Sequence, residues 1–156
     1  MTLEQKIIYT ATEFLAGPAA SRYFAGRSPR EITAHHEAGH VVAILLNDVN
    51  SIYSVSIVPD DDSRGRVLHV APSSSGTRTT PFTDRRLAAE ILSWTYPGWR
   101  QVLREVRHAK WRAETLVKCH VAEIQAVAKA LLERGELTGE ECAWIAWEAR
   151  SWKPKT

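Results

Sequence analysis

The chain has 156 residues, of which 44% are hydrophobic and 24% charged, and its formal net charge is +2. These values are ordinary for a soluble globular protein, and the length is sufficient for a core without disulfides. The weak positive charge argues against a nucleic-acid partner, and no apolar run approaches the length of a membrane-spanning helix. We therefore expect one domain, 1–156, with neither nucleic acid nor a membrane as partner.

The cysteines and the N-terminus both indicate an intracellular protein. Cys119 and Cys142 are the two cysteines, and no C-x-x-C spacing suggests a disulfide framework or a thiolate zinc site. Residues 1–6 lack the basic and apolar regions of a secretory signal. We expect a soluble protein in the cytoplasm, where reducing conditions keep thiols free.

Residues 1–26 are predicted to form two N-terminal helices. Thr2 and Gln5 have the spacing of a capping box, and apolar residues then recur at helical intervals. Gly17-Pro18 is expected to end the first helix, and a short second helix would follow. The role predicted for this region is to pack against the next helix.

The next predicted helix, 29–46, carries the most informative motif of the chain. Ser28-Pro29-Arg30-Glu31 marks its start, because a capping serine precedes a proline and a glutamate returns to the cap. His36 and His40 lie four residues apart, so on a helix they share one face and can bind one metal ion. Glu37 completes the H-E-x-x-H motif of zinc peptidases, in which the glutamate is the general base for metal-bound water. The motif predicts Zn²⁺ bound by His36 and His40, with Glu37 as the catalytic residue.

The alternative interpretation of this helix is an amphipathic segment with ordinary surface or core histidines. Small Ala38 and Gly39 favour the metal site, because they leave space for a metal and a substrate. His35 points elsewhere on the helix, so we expect it to lie at the surface or behind a ligand.

Residues 51–71 are predicted to form an antiparallel β-hairpin. The stretch 51–58 alternates and is rich in β-branched residues, 59–65 is a polar turn, and 66–70 returns. The exposed edge of such a hairpin beside a zinc ion can hydrogen-bond an extended peptide. The alternative is that both strands only cover the core.

The C-terminal part, 84–152, is predicted to be helical. A polar loop, 72–81, precedes a helix that Thr83 and Asp84 can cap, and Pro97-Gly98 ends that helix. A long helical region, 99–133, and a final helix capped from Thr138 follow. The whole pattern predicts a mainly α (α+β) fold with one small antiparallel β-hairpin after the metal-binding helix.

Several of these segments, in this order, resemble the peptidase domain of the FtsH-type ATP-dependent zinc metalloproteases. The stretch 34–42, with His-Glu-Ala-Gly-His at its centre, is similar to the metal-binding helix of that family. Residues 55–59 and 65–67 resemble its hairpin, and segments within 113–141 resemble its closing helices. The resemblance covers more than half of the chain and implies a zincin-like helical peptidase domain that acts on protein or peptide substrates.

Two features differ from the family pattern. No phosphate-binding G-x-x-x-x-G-K-[ST] loop and no spanning segment occur, which implies a stand-alone peptidase domain and leaves a homo-oligomer or a separate ATPase partner open. The region after the hairpin is too short for the apolar A-G-x-A-A-like helix of the family. A similar string, Ala16-Gly17-Pro18-Ala19-Ala20, lies upstream of the metal-binding helix, so a rearranged order of helices is possible.

The resemblance also implies a third zinc ligand, an aspartate near the start of a helix that follows a Thr-Thr loop. Thr79-Thr80-Pro81-Phe82-Thr83-Asp84 has this pattern and points to Asp84. A simple helix cap is the alternative role of Asp84. Glu90, further along the same helix, and the acids Asp60-Asp61-Asp62 are the other candidates.

These observations predict a zinc-dependent metalloendopeptidase that hydrolyses peptide bonds in extended or unfolded protein segments. The alternative is a catalytically weak or inactive peptidase-like module that binds a protein partner. Zinc content and cleavage of an unstructured substrate distinguish the two.

Overall fold

The computed structural model describes residues 1–59, 65–70 and 81–151. Over these ranges the chain forms helices and short strands in the following order: α1 Leu3–Tyr23, α2 Pro29–Asn47, β1 Ser51–Ser56, β2 Arg66–Val70, α3 Pro81–Ser93, α4 Trp99–Cys119, α5 Val121–Arg134, β3 Glu136–Thr138 and α6 Gly139–Ser151. The predicted mainly α fold with a small antiparallel hairpin is confirmed. None of the described helices is long and apolar enough to cross a membrane.

The first helix is continuous, whereas two helices were predicted. The capping box of Thr2 and Gln5 starts it as expected, but Gly17 and Pro18 lie inside it rather than at its end. A proline inside a helix removes a backbone hydrogen bond and costs about 3 kcal/mol. All residues from 15 to 20 are buried, and this packing outweighs the local preference for a break. The predicted second N-terminal helix is therefore wrong.

Helix α2 follows its predicted bounds closely and lies at the centre of the fold. The backbone of Ser28 donates to Glu31 Oε2 at 2.9 Å, and the backbone of Glu31 donates to the Ser28 hydroxyl at 3.3 Å. The helix ends where Asp48 adopts a left-handed conformation with φ of 52°. Every residue from Ala34 to Ile44 is buried, because α1 and α5 both pack along this helix.

Small side chains bring α1 and α2 close together. A Cβ atom on Gly39 would lie 2.7 Å from the Ala16 carbonyl oxygen and 2.8 Å from Ala20 Cβ. Both distances are shorter than van der Waals contact, so only glycine fits at this crossing. Side chains on either helix can therefore reach the other directly.

The strands form an antiparallel sheet in the order β2-β1-β3. Val55 at the centre of β1 is opposite Val67 on β2 and Leu137 on β3. The hairpin was predicted, but β3 was not, because Thr138 was interpreted only as the cap of the last helix. Thr138 serves both purposes, since it ends β3 and its hydroxyl accepts the backbone N–H of Glu141 at 3.2 Å.

The region predicted as one long helix, 99–133, is two helices. They are separated at His120, whose φ of −123° lies outside the helical range. The second of them, α5, ends at Gly135, whose φ of 81° favours glycine. This break lets α5 turn back and pack on α2.

Candidate metal centre

Three predicted site residues meet at one point between α2 and α3. His36 and His40 lie on successive turns of α2, and Asp84 lies in the first turn of α3. The Nε2 atoms of the two histidines are 3.1 Å apart, and Asp84 Oδ2 is 3.1 Å from His36 Nε2 and 3.5 Å from His40 Nε2. Within the described residues, this is the group of histidine and carboxylate ligand atoms close enough to share a metal ion.

The spacing of these atoms fits a zinc ion. Tetrahedral zinc with bonds of about 2.0–2.2 Å to nitrogen and oxygen places its ligand atoms about 3.3–3.6 Å from one another. The three observed separations, 3.1, 3.1 and 3.5 Å, lie close to that range. Two imidazoles and one carboxylate also leave a fourth position free, as catalytic zinc sites do.

Asp84 is buried beside the two histidines. Its side chain is fully buried, and neither carboxylate oxygen has a hydrogen-bond partner among the described residues. Oδ2 lies at ion-pair distance from both imidazoles, and a buried carboxylate needs a positive charge beside it, either a protonated histidine or a metal ion. Because α3 begins at Pro81, Asp84 lies inside its first turn and makes no capping hydrogen bond. The geometry therefore favours a ligand over a cap.

The other candidates for a third ligand are not brought to this point. The side chain of Glu90 is exposed on α3 and does not belong to the cluster. The acids 60–62 lie outside the described residues. Asp84 is therefore the acid that the described structure places beside both histidines.

The charges of the cluster are strongly coupled. Burial lowers the pKa of His36. Burial alone would also lower the pKa of His40, but the adjacent Asp84 carboxylate raises it to about 9. Burial would raise the pKa of Asp84, yet the charge of His40 holds it below its ordinary value. In the metal-free protein at neutral pH, His40 is thus the protonated member of the three, and a divalent cation can replace its proton.

Glu37 lies beside the cluster without belonging to it. Its side chain is 2% exposed, and Oε2 has no hydrogen-bond partner within the described part of the chain. Burial raises the pKa of Glu37 to about 8. A Cβ atom on Gly65 would lie 2.9 Å from Glu37 Oε1, so the residue before β2 must be small to admit this carboxylate. A carboxyl group with a pKa near neutrality and a free oxygen is suited to proton transfer.

Helix α1 contacts the opposite side of both imidazole rings, which the sequence did not reveal. His40 Nδ1 donates to the backbone carbonyl of Glu13 at 2.8 Å, and His36 Nδ1 lies 2.8 Å from the Ser21 hydroxyl. Gly17 lies between them, and a Cβ atom there would be 2.3 Å from His40 Nε2. These positions are spaced by four residues, so one face of α1 lines the site. Three small or polar residues at helical spacing were the available signal, but the predicted break at Gly17-Pro18 obscured it.

His35 is separate from the metal cluster. Its Nδ1 lies 2.6 Å from the Glu31 carbonyl oxygen, and its ring packs on Phe24 with centroids 4.2 Å apart. The side chain is 6% exposed, so it belongs to the packed helix interface rather than the surface. The prediction that His35 points away from the metal agrees with this position.

Comparison with known proteins gives partial similarity to bacterial zinc proteases. The chain is 31% identical over 81 residues to the ATP-dependent zinc metalloprotease FtsH of Staphylococcus haemolyticus, which covers 51% of this chain and 11% of that protein. It is 43% identical over 53 residues to FtsH of Lactiplantibacillus plantarum, covering 33% and 7% of the two chains. The match to FtsH 2 of Sphaerobacter thermophilus is 35% identical over 86 residues, covering 54% and 13%.

The chain thus spans roughly a tenth of the length of the curated relatives it matches. No protein-family model matches the chain. The similarity suggests an FtsH-like relationship for about half of the chain, and the names of the relatives suggest a protease connected with zinc.

Proposed function

We propose that this protein is a zinc-dependent metalloendopeptidase that acts on extended or unfolded protein segments. The observation that carries the proposal is the convergence of His36 Nε2, His40 Nε2 and Asp84 Oδ2 within 3.5 Å of one another. Both oxygens of Asp84 are buried without a hydrogen-bond partner in the described structure, which supports a cation at this point. The matched relatives are zinc metalloproteases by name, which agrees with this proposal.

His36, His40 and Asp84 would hold the zinc ion. When bound, zinc supplies a Lewis acid that polarises the carbonyl of the scissile bond and makes a water molecule more acidic. Two neutral imidazoles and one carboxylate leave the ion with a net positive charge, which favours this chemistry.

Glu37 is the proposed general base. Its unpartnered Oε2 accepts a proton from the attacking water, and the protonated carboxyl group then gives that proton to the departing amine. The buried position removes competing hydrogen bonds from water and fixes the side chain against Gly65. A neighbouring cation favours the ionised form, which offsets the rise in the pKa of Glu37 to about 8 that burial causes.

The edge strand β2 is the proposed binding element for the substrate. It pairs with β1 on one side, and no described strand pairs with its other side. Gly65 directly precedes β2 and contacts Glu37, so this edge begins beside the catalytic carboxylate. An extended peptide can add to such an edge through backbone hydrogen bonds, which explains a preference for unfolded segments. We place the activity in the cytoplasm, in agreement with the free thiols of Cys119 and Cys142.

The test is cleavage of a permanently unfolded protein, such as reduced and alkylated casein, by the zinc-loaded chain. We expect cleavage by the unaltered protein and a loss of at least about 1000-fold in Glu37→Gln, because the amide cannot accept the proton. Zinc content of the variant should equal that of the unaltered protein, since Glu37 is not a ligand.

Two results would contradict this proposal. Equal cleavage by Glu37→Gln would show that the activity comes from another residue or from a contaminating protease. Full zinc occupancy without any cleavage by the unaltered protein would favour an inactive module that binds a partner.

A further inference from the structure

We propose that Ser21 is a positioning residue for the metal centre, because its hydroxyl accepts the N–H of His36 Nδ1 and thereby fixes the tautomer that can bind a metal. This inference rests on the proposed zinc site. It assigns a task to α1, a helix that the sequence suggested only as packing.

The two histidines are held from behind by different groups of the same helix. His40 Nδ1 faces the backbone carbonyl of Glu13 at 2.8 Å, and a carbonyl can only accept. His40 must therefore carry a proton on Nδ1, which leaves Nε2 as the atom that can bind a metal. The fold itself determines the tautomer of this ligand, whatever side chain occupies position 13.

His36 lacks such a constraint from the backbone. Its Nδ1 lies 2.8 Å from Ser21 Oγ, and a hydroxyl can donate or accept. If Ser21 donated, the proton of a neutral His36 would move to Nε2 and point at His40 Nε2, only 3.1 Å away. The cluster would then have no lone pair at this position. A metal-binding His36 requires that Ser21 accepts.

The surroundings of Ser21 permit this role. The side chain is half-buried, so its own hydroxyl hydrogen can face water while the oxygen accepts from His36. Glu13, Gly17 and Ser21 recur every four residues and face both ligands, and the absence of a side chain at Gly17 makes room for the His40 ring. Ser21 is the member of this face that acts through its side chain, so it is the one that substitution can remove.

Zinc affinity and the tautomer of His36 test the inference in the full chain. Partners of this kind typically contribute 10-fold to 100-fold in metal affinity, and we expect about that loss in Ser21→Ala. Ser21→Thr keeps the hydroxyl and should restore most of the affinity. Ser93→Ala is the matched control, because it removes a hydroxyl that donates to the Glu90 carbonyl on α3, outside the ligand cluster.

The second measurement is ¹⁵N NMR of the histidine rings in the metal-free and zinc-loaded protein, with His36→Asn to assign the signals. We expect the proton of His36 on Nδ1 in both forms of the unaltered protein, and a shift of the metal-free population toward Nε2 in Ser21→Ala. The metal-free form is the informative one, because zinc on Nε2 would place the proton on Nδ1 with or without Ser21. A proton on Nε2 in the metal-free unaltered protein would contradict the inference even if Ser21→Ala fails to fold.

A proton on His36 Nε2 in the metal-free unaltered protein, or unchanged affinity in folded Ser21→Ala, would overturn the role of Ser21 and leave the zinc site intact. An unaltered protein that binds no zinc would overturn both the inference and the proposed function. Zinc binding that depends on Ser21 without any proteolysis would contradict the proposed activity alone.

Discussion

Glu123 and Asp84 are both buried carboxylates, and their surroundings differ. Glu123 on α5 is 5% exposed, and its Oε1 accepts from His120 Nδ1 at 3.0 Å and from Arg150 Nε at 3.2 Å. Asp84 on α3 is fully buried beside two histidines, yet neither of its oxygens has a hydrogen-bond partner in the described part of the chain. The first carboxylate accepts hydrogen bonds from the protein, whereas the charged neighbours of the second are the two histidines that are also the candidate metal ligands.

The helices around these carboxylates differ in the same way. Helix α5 buries apolar side chains such as Ile124, Val127 and Leu131, which is ordinary core packing. Helices α1 and α2 bury histidines and glutamates together with apolar residues such as Leu15 and Val41, and glycines and alanines let the two helices pack closely. Burial of unpaired polar groups lowers stability, so an interface of this kind is typical of a site rather than of a core.

The largest effect on zinc affinity should come from replacing the carboxylate of Asp84. We expect Asp84→Asn to weaken zinc binding by more than about 1000-fold, roughly 4 kcal/mol, because the change removes an anionic oxygen from the ligands. Glu123→Gln is the matched control, since the same chemical change in the satisfied carboxylate should leave zinc affinity unchanged. Competition titration with a chromophoric chelator measures the zinc affinity of both variants. Equal affinities in the two variants would contradict the assignment of Asp84.

A core substitution should show the opposite pattern. Leu131 is fully buried on α5, and Leu131→Ala should lower the free energy of unfolding by about 2–5 kcal/mol through the cavity it creates. Zinc affinity of the folded variant should stay within about twofold of the unaltered protein, because none of the three candidate ligands lies on α5. Urea unfolding measures the free energy of unfolding, and zinc titration measures the zinc affinity. A large loss of zinc affinity would mean that the two regions are coupled.

The pH dependence of stability should separate the regions in the metal-free protein. The folded-state pKa of His40, about 9, lies above its unfolded value, so its contribution is complete below pH 6.5 and is lost as pH rises through 9. The pKa of Glu37 is raised to about 8, so this group also favours the folded state less as pH rises. Glu123 has a lowered pKa, so its contribution is present above pH 4.5 and lost as pH falls.

We therefore expect the melting temperature of the metal-free protein to fall from pH 6.5 to 9, by an amount that corresponds to about 1–3 kcal/mol. Asp84→Asn should flatten this alkaline decline, because Asp84 is what raises the pKa of His40. Glu123→Gln should reduce only the fall in melting temperature at acid pH. Asp84→Asn should also change the acid side, because the pKa of Asp84 is held below its ordinary value. A Glu123→Gln variant that flattens the alkaline side, or an Asp84→Asn variant that leaves it unchanged, would show that the charges are assigned to the wrong region.

The sequence predicted those parts of the site that lie within one helix. His36, Glu37 and His40 are encoded by spacing along α2, and the capping box at Ser28 located that helix nearly to the residue. Asp84 is 44 residues beyond His40, and no local pattern links them, so it was proposed from a family resemblance alone. Local rules describe contacts within a turn or two, whereas contacts between distant segments depend on packing.

The same limit explains why some features of the fold were not predicted correctly. Gly17-Pro18 is a good local signal for a helix end, yet burial against α2 keeps the helix continuous. The contacts of Ser21 and the Glu13 carbonyl with the histidines follow from that continuity, so they could not be predicted once the helix was divided. Strand β3 has three residues and exists because β1 offers it an edge.

The central claim is that the three converging ligand atoms bind zinc, and the most direct test is metal stoichiometry. Protein purified without chelators and dialysed against metal-free buffer should retain about one zinc ion per chain by elemental analysis, as expected for a site with three protein ligands. His40→Ala, purified in parallel, should retain almost none. Retention of the same amount of zinc by both proteins, or of none by the unaltered protein, would contradict the account.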